Sequence, residues 1–349
     1  MQIAATSTSL PEHYYSQAEL LAALEQYWAP VLSKPNVLRR LHKHVGVDGR
    51  FLAIPKERYP ELHSWGQAND HWIEVAERLG ERAVSAALSR AGVDPADLGA
   101  IFFTSITGIC SPSIDARLIN RMGLSPNIRR VPIFGLGCVG GAAAISRAAD
   151  YVRAYPGQLA CALSVELCSL TLQREDLSVA NLISSGLFGD GAAAVIVAGE
   201  QLRATGPRIL ATRSVFYPGT EDMMGWKVSE KGFQIVLSPQ VPSLIRQNLR
   251  HDVDSFLKDH GYCRCQLGSW VLHTGGPKVL EATADALELK NGELDASWQC
   301  LRRVGNLSSA SVLVVLDEVS RNRRPAPGTV GLLAAMGPGF CSELVLLQW

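Results

Sequence analysis

Residues 135–149 constrain this chain more than any other stretch. Gly135-Leu136-Gly137-Cys138-Val139-Gly140-Gly141 runs directly into Ala142-Ala143-Ala144-Ile145-Ser146-Arg147-Ala148-Ala149. A helix with side chains this small on nearly every face suits burial on all sides, because it has no broad polar face to offer solvent. Val131-Pro132-Ile133-Phe134 just before it reads as a short strand, so the glycine run is a strand-to-helix bend. Glycine there permits positive φ and lets another group come close to the backbone.

The rest of the chain alternates in the same way. Residues 17–34 and 70–92 carry helix-like apolar spacing, the second ending at Ala91-Gly92 with Pro95 just beyond. Residues 101–106, 159–165 and 191–197 read as buried strands. Residues 200–208 are polar with Gly and Pro and mark a seam, dividing the chain into halves 1–200 and 201–349. The second half again gives a strand at 270–272, a Gly-rich turn, helical stretches including 307–319, and a strand at 330–335. Strands alternating with helices in both halves predict a layered α/β fold with two related cores.

Thirty-three basic residues balance thirty-three acidic ones, so net charge gives no reason to expect nucleic acid or an anionic membrane as partner. The longest apolar stretches, 192–198 and 310–316, are far shorter than the roughly 18 residues that span a bilayer, so no integral membrane association is expected. Met1-Gln2-Ile3-Ala4-Ala5-Thr6 lacks a basic segment leading into an apolar run, and a cytoplasmic protein is the expectation. Of eight cysteines only Cys263 and Cys265 are close together, without the second ligand pair of a zinc site, and a reducing compartment fits best.

Three residues carry the chemistry. Cys138 sits where a strand meets a helix, and the positive end of a helix dipole lowers a thiol pKa. His273 ends the apolar run Trp270-Val271-Leu272 beside Gly275-Gly276-Pro277, where an imidazole can reach a cleft as base or donor. Asn306, in Gly305-Asn306-Leu307-Ser308-Ser309-Ala310, can give its amide to a developing negative charge; equally, Gly-Asn is common turn chemistry and Ser308 or Ser309 can cap the helix. A thiol, an imidazole and an amide in that order also occur in papain-like hydrolases, but Cys138 is followed by Val139-Gly140-Gly141 rather than their signature.

Gly137-Cys138-Val139-Gly140-Gly141, Leu187-Phe188-Gly189-Asp190-Gly191, His273-Thr274-Gly275-Gly276-Pro277, Gly305-Asn306-Leu307-Ser308-Ser309 and Met336-Gly337-Pro338-Gly339-Phe340 together resemble, in order, the motifs of the chalcone synthase-like, or type III polyketide synthase, family. Ser164–Thr171 and Met224-Gly225-Trp226 look most like its bacterial alkylpyrone and alkylresorcinol synthases. The resemblance implies a five-layered αβαβα thiolase fold and a homodimer. It implies that Cys138 takes an acyl group from a CoA thioester, that His273 helps hold it as thiolate, and that His273 and Asn306 cradle the enolate formed as malonyl-CoA decarboxylates, with no metal or redox cofactor. Phe188 matches a gatekeeper, Ile235 a second gate and Trp226 a cavity wall. Thr171, Ser308, Gly275 and Gly276 fall at pocket positions, and Arg39 and Lys43 near the positions that hold CoA phosphates. A medium- or long-chain acyl starter extended to an alkyl-α-pyrone or alkylresorcinol is the expected reaction. The alternative is a priming β-ketoacyl synthase that works on an acyl carrier protein.

Overall fold

The computed structural model describes residues 1–32 and 35–349. Nine strands form a mixed sheet in the order Leu267–Leu272, Val330–Gly337, Cys341–Gln348, Arg208–Phe216, Gln2–Ser9, Asp190–Ala198, Leu159–Leu167, Leu98–Thr104, Arg129–Ile133. Its pairing repeats in two halves. Leu98–Thr104 runs parallel to Leu159–Leu167, which is antiparallel to Asp190–Ala198, itself antiparallel to Gln2–Ser9. Leu267–Leu272 runs parallel to Val330–Gly337, which is antiparallel to Cys341–Gln348, itself antiparallel to Arg208–Phe216. The half-sheets join at the register pair Gln2 and Arg208.

Successive side chains of a strand point to opposite faces, and that alternation sorts the core into layers. In Asp190–Ala198, Ala193, Val195 and Val197 pack with the central helices, while Ala192, Ala194 and Ile196 pack with Val75, Leu79 and Val84 of helix Trp65–Ala91. In Val330–Gly337, Leu333 and Ala335 face the same centre, while Leu332 and Ala334 face helices Val241–Asp259 and Pro277–Leu287. Both faces of each half-sheet are covered, which is why these strands read as unbroken apolar runs. The result is helix, sheet, helix, sheet, helix, the five layers implied by the resemblance.

Helices Gly140–Ala154 and Ala310–Asn322 form the middle layer, and Ala142, Ala144, Ala148, Ala310 and Val315 are fully buried there. Small side chains let this layer close tightly. A Cβ on Gly141 would stand 2.2 Å from the Ser309 carbonyl oxygen, so no larger residue fits without moving one helix off the other.

Three differences from the sequence reading have physical causes. The helix expected over 17–34 ends at Trp28, and residues 33–34 fall outside those described. Gln2–Ser9, rich in Ser and Thr, is a central strand whose hydroxyls are satisfied internally, as where Ser7 Oγ donates to the Ala83 carbonyl. Cys263 and Cys265, expected as reduced thiols, form a disulfide across a Cα separation of 5.4 Å. Among the described residues no helix is long and apolar enough to cross a membrane.

Candidate active site

Cys138, His273 and Asn306 come from three separate segments and line one cavity of about 690 Å³. Cys138 lies in the short 3₁₀ turn Gly137–Val139 that opens into the central helix. Gly137 has φ +51°, and a Cβ there would lie 2.7 Å from the Pro338 ring, so the closing Met336–Phe340 segment packs directly on the cysteine turn. His273 follows strand Leu267–Leu272, and its backbone N–H donates to the Ala334 carbonyl over 3.1 Å.

Asn306 stands just before the second central helix, at a position that the repeated topology relates to that of Cys138. Its backbone bridges to the Phe188 segment: Asn306 N donates to the Leu187 carbonyl (2.9 Å), and Gly189 N donates to the Asn306 carbonyl (3.0 Å). The side-chain Oδ1 accepts from Ser308 N (2.8 Å) and Ser311 Oγ (3.2 Å). Those two donors fix the amide orientation and leave Nδ2 as a free donor on the other side. Ser308 holds φ +48°, a left-handed conformation uncommon for serine, and its Oγ lies 3.7 Å from Cys138 Sγ.

Burial governs the ionisation of the trio. The Cys138 thiol is pushed up to about 12 by desolvation, which outweighs the opposing hydrogen bond from Ser308. The His273 imidazole is pushed down to about 4, again by desolvation. Both groups are therefore neutral near pH 7. Sγ meets Ser308 Oγ, and no hydrogen bond links Cys138 to His273 among the described residues. The buried Nδ1 of His273 has no partner among the described residues.

Sequence reasoning missed the group behind Ser308. Glu166 is fully buried; one carboxylate oxygen accepts from Ile106 N (3.1 Å) and Thr107 Oγ1 (2.8 Å), and the other accepts from the hydroxyl and backbone of Ser309. Burial raises its pKa against those hydrogen bonds. Its only sequence signal was a lone acid inside an apolar strand.

The pocket positions divide between two spaces. Gly275, Gly276 and Ser308 line the cavity of the trio, and Phe188, Trp226 and Ile235 line both it and a second cavity of about 560 Å³. Trp226 and Ile235 face each other as register partners in the hairpin Met224–Ser229 and Gly232–Leu237, so together with Phe188 they form a partition. Thr171 lies on the second cavity only, its hydroxyl donating to the Cys168 carbonyl (2.8 Å). Arg39 and Lys43 line neither space: Arg39 pairs with Glu25 at the surface, and Lys43 is exposed. Arg40, His44 and Lys278 line the cavity of the trio in their place. Helix Pro35–Lys43 explains the displacement, since one residue along a helix turns the side chain by about 100°. Among the described residues no group of three or more His, Cys, Asp or Glu could hold a metal ion.

Residues 2–201 match the N-terminal domain of the chalcone and stilbene synthases, and residues 208–349 match their C-terminal domain. The chain is 49% identical to a 1,3,6,8-tetrahydroxynaphthalene synthase of Streptomyces peucetius subsp. caesius, over 99% of this chain and 93% of that protein. It is 30% identical to a phloroglucinol synthase of Pseudomonas fluorescens, over 97% of this chain and 96% of that one. The crystal structure of a 1,3,6,8-tetrahydroxynaphthalene synthase from Streptomyces coelicolor A3(2) superposes with a TM-score of 0.95 at 33% identity, covering 100% of this chain and 99% of the other. This chain belongs to the chalcone and stilbene synthase family and is a type III polyketide synthase, a condensing enzyme of the acyltransferase kind.

Proposed function

We propose that this synthase condenses malonyl units from CoA thioesters on Cys138 and releases a hydroxylated aromatic polyketide of the tetrahydroxynaphthalene class. The observation that carries the chemistry is the shared cavity of Cys138, His273 and Asn306, with the Asn306 amide locked as a donor. The product class is supported by the relative at 49% identity. Cys138 Sγ attacks an acyl-CoA carbonyl, the carbon–sulfur bond to CoA breaks, and the thiol proton leaves through His273 to the departing CoA thiolate. Because both groups are neutral beforehand, proton transfer accompanies attack. Malonyl-CoA then loses carbon dioxide, and its electron pair moves into a thioester enolate whose oxygen meets His273 and Asn306 Nδ2. The enolate carbon attacks the Cys138 thioester and expels the cysteine thiolate, extending the chain by two carbons. No metal or bound redox cofactor enters this sequence.

A medium- or long-chain starter released as an alkyl-α-pyrone or alkylresorcinol is the second reading, favoured by Leu20, Leu24, Leu52 and Leu172 on the second cavity. Arg40, His44 and Lys278 at the cavity of the trio suit the phosphates of CoA and favour it over a carrier protein as acyl donor. A homodimer is proposed through the edge strand Arg129–Ile133, where Val131 and Phe134 are 37% and 52% exposed, and sedimentation will measure it. The deciding experiment supplies malonyl-CoA alone, then with a panel of acyl-CoAs. Carbon dioxide release and an aromatic product from malonyl-CoA alone are expected. A product that forms only with an alkyl starter supports the second reading, and no decarboxylation with any donor overturns both.

A further inference from the structure

The second cavity contains a cation that the condensation chemistry leaves unused. Arg50, at the end of the strand pairing with His13–Ser16, is 4% exposed and lines this space together with Leu24, Leu52, Tyr59 and Thr171. Its Nη1 donates to the Phe188 carbonyl over 2.7 Å, while Nε is buried with no partner and Nη2 makes no hydrogen bond among the described residues. Asp190 is the nearby acid, but its oxygens are occupied by Ala53 N (2.6 Å), Ser169 N (2.8 Å) and the Ser169 hydroxyl. Burial pulls the Arg50 pKa down only to about 10, so the guanidinium is charged at neutral pH.

The Asp190 carboxylate is close enough to favour the charged guanidinium but makes no hydrogen bond to it among the described residues, and a buried N–H left without a partner is unfavourable. Nε is shielded from any ligand, so the group left to meet one is Nη2, which can donate a charge-assisted hydrogen bond to a carboxylate. The cavity adjoins the site of Cys138 through Phe188, Trp226 and Ile235, which line both spaces. An acyl group on Cys138 that reaches past this partition would bring its far end to Arg50. Apolar walls with a fixed cation at the end suit a short carbon chain that ends in an anion better than one that ends in methyl, because methyl would leave Nη2 both dry and without a hydrogen-bond partner.

We propose that the second cavity is a subsite for the carboxylate-bearing far end of an acyl chain, with Arg50 as the group that recognises it. This rests on the reading of Cys138 as the acyl carrier, and it names the starter class: the CoA ester of a dicarboxylic acid, malonyl included, rather than of a fatty acid. Arg50 also fixes the carbonyl of Phe188, the residue bridged to Asn306, so the same guanidinium ties the subsite to the gate.

Binding tests the proposal without turnover. Cys138→Ala protein, which cannot be acylated, is titrated calorimetrically with glutaryl-CoA and with hexanoyl-CoA, chains of similar length that end in carboxylate and methyl. With Arg50 intact, glutaryl-CoA is expected to bind roughly tenfold more tightly or better. The ratio should fall toward one when Arg50→Gln is added, while Arg50→Lys, which keeps the charge, should retain part of it. Equal binding with Arg50 intact, tighter hexanoyl-CoA binding, or a ratio untouched by Arg50→Gln would overturn it. If the parent protein decarboxylates nothing yet the binding ratio and its loss are found, the function above falls and this subsite stands.

Discussion

Cys138 Sγ and Ser308 Oγ lie 3.7 Å apart, and Ser308 makes that contact from a left-handed backbone conformation at φ +48°. Strain of this kind persists where the surroundings over-determine it, and here Ser308 N is held by Asn306 Oδ1 while the next residue is held by Glu166. Ser308→Gly is expected to remove the strain along with the hydroxyl, leaving thermal stability equal or higher. Ser308→Ala keeps the strain and should cost about 1 kcal/mol relative to Ser308→Gly. Thermal denaturation of the two variants compares them directly. Equal melting temperatures would show that the backbone there is relaxed.

The same contact bears on thiol reactivity. With the thiol pushed up to about 12, alkylation of Cys138 by iodoacetamide should climb about tenfold per pH unit from 6 to 9 without a plateau. Peptide mass spectrometry separates Cys138 from Cys110 and Cys341, the two partly exposed free thiols. A rate that is flat below pH 8 would instead reveal a preformed thiolate paired with His273.

Asn306 acts through one end of its amide. Replacing it with Leu removes the donor while keeping most of the volume, and is expected to slow malonyl-CoA decarboxylation by ~10²–10³. Ser311→Ala leaves the donor in place and removes one of the two hydrogen bonds that orient it, so a smaller loss, about tenfold or less, is expected. Released carbon dioxide measures both. A Ser311→Ala effect as large as that of Asn306→Leu would mean that Ser311 does more than orient.

Much of this site was legible because the chemistry sits at chain punctuation. Cys138, His273 and Asn306 each stand at a Gly-marked end of a strand or start of a helix, and those ends gather at one side of the central layer. Within the basic run Arg39, Arg40, His42, Lys43 and His44, the pair Arg39 and Lys43 was preferred to Arg40 and His44 because both pairs are spaced by four residues and the spacing alone does not say which face meets the cavity. Two opposed influences act on Cys138: the helix N-terminus, which can be read from glycine and alanine, favours the thiolate, whereas depth of burial, which depends on how five layers close, favours the thiol. Arg50 lies in an ordinary-looking Gly-Arg-Phe, and only the packing around it reveals a buried guanidinium at a cavity wall.

Burial of His273 also makes stability depend on pH. Its imidazole sits at about 4 in the folded chain, against an ordinary value of 6.5. Between those values the unfolded chain binds a proton that the folded chain refuses. The stability from a neutral His273 is therefore complete above pH ~6.5 and is lost as pH falls toward 4. His42, pushed down to about 4 by burial, acts in the same direction, while Asp190, pushed up to about 6, opposes them as pH falls. Comparing His273→Gln with the parent isolates the one residue. The parent's stability should drop more steeply from pH 6.5 to 4, by on the order of 1 kcal/mol per pH unit. Parallel denaturation curves at every pH would refute a neutral imidazole sealed from water.

Trp226 sets the width of the passage between the two cavities. It faces Ile235 across the hairpin and its ring lies 6.1 Å from that of Phe233, so indole bulk fills the partition between spaces of about 690 and 560 Å³. Half-buried in a two-stranded hairpin outside the main sheet, it can be cut back without opening the layered core. Trp226→Ala is expected to widen the passage between the spaces, admit longer acyl-CoAs and shift products toward more extensions, with the melting temperature lowered by only a few degrees. Because Ile235 and Phe188 stay in place, the change should appear in the product distribution, read by mass spectrometry, before it appears in malonyl-CoA decarboxylation. A product profile identical to the parent's would show that Trp226 packs the hairpin alone and that Phe188 sets the chain length by itself.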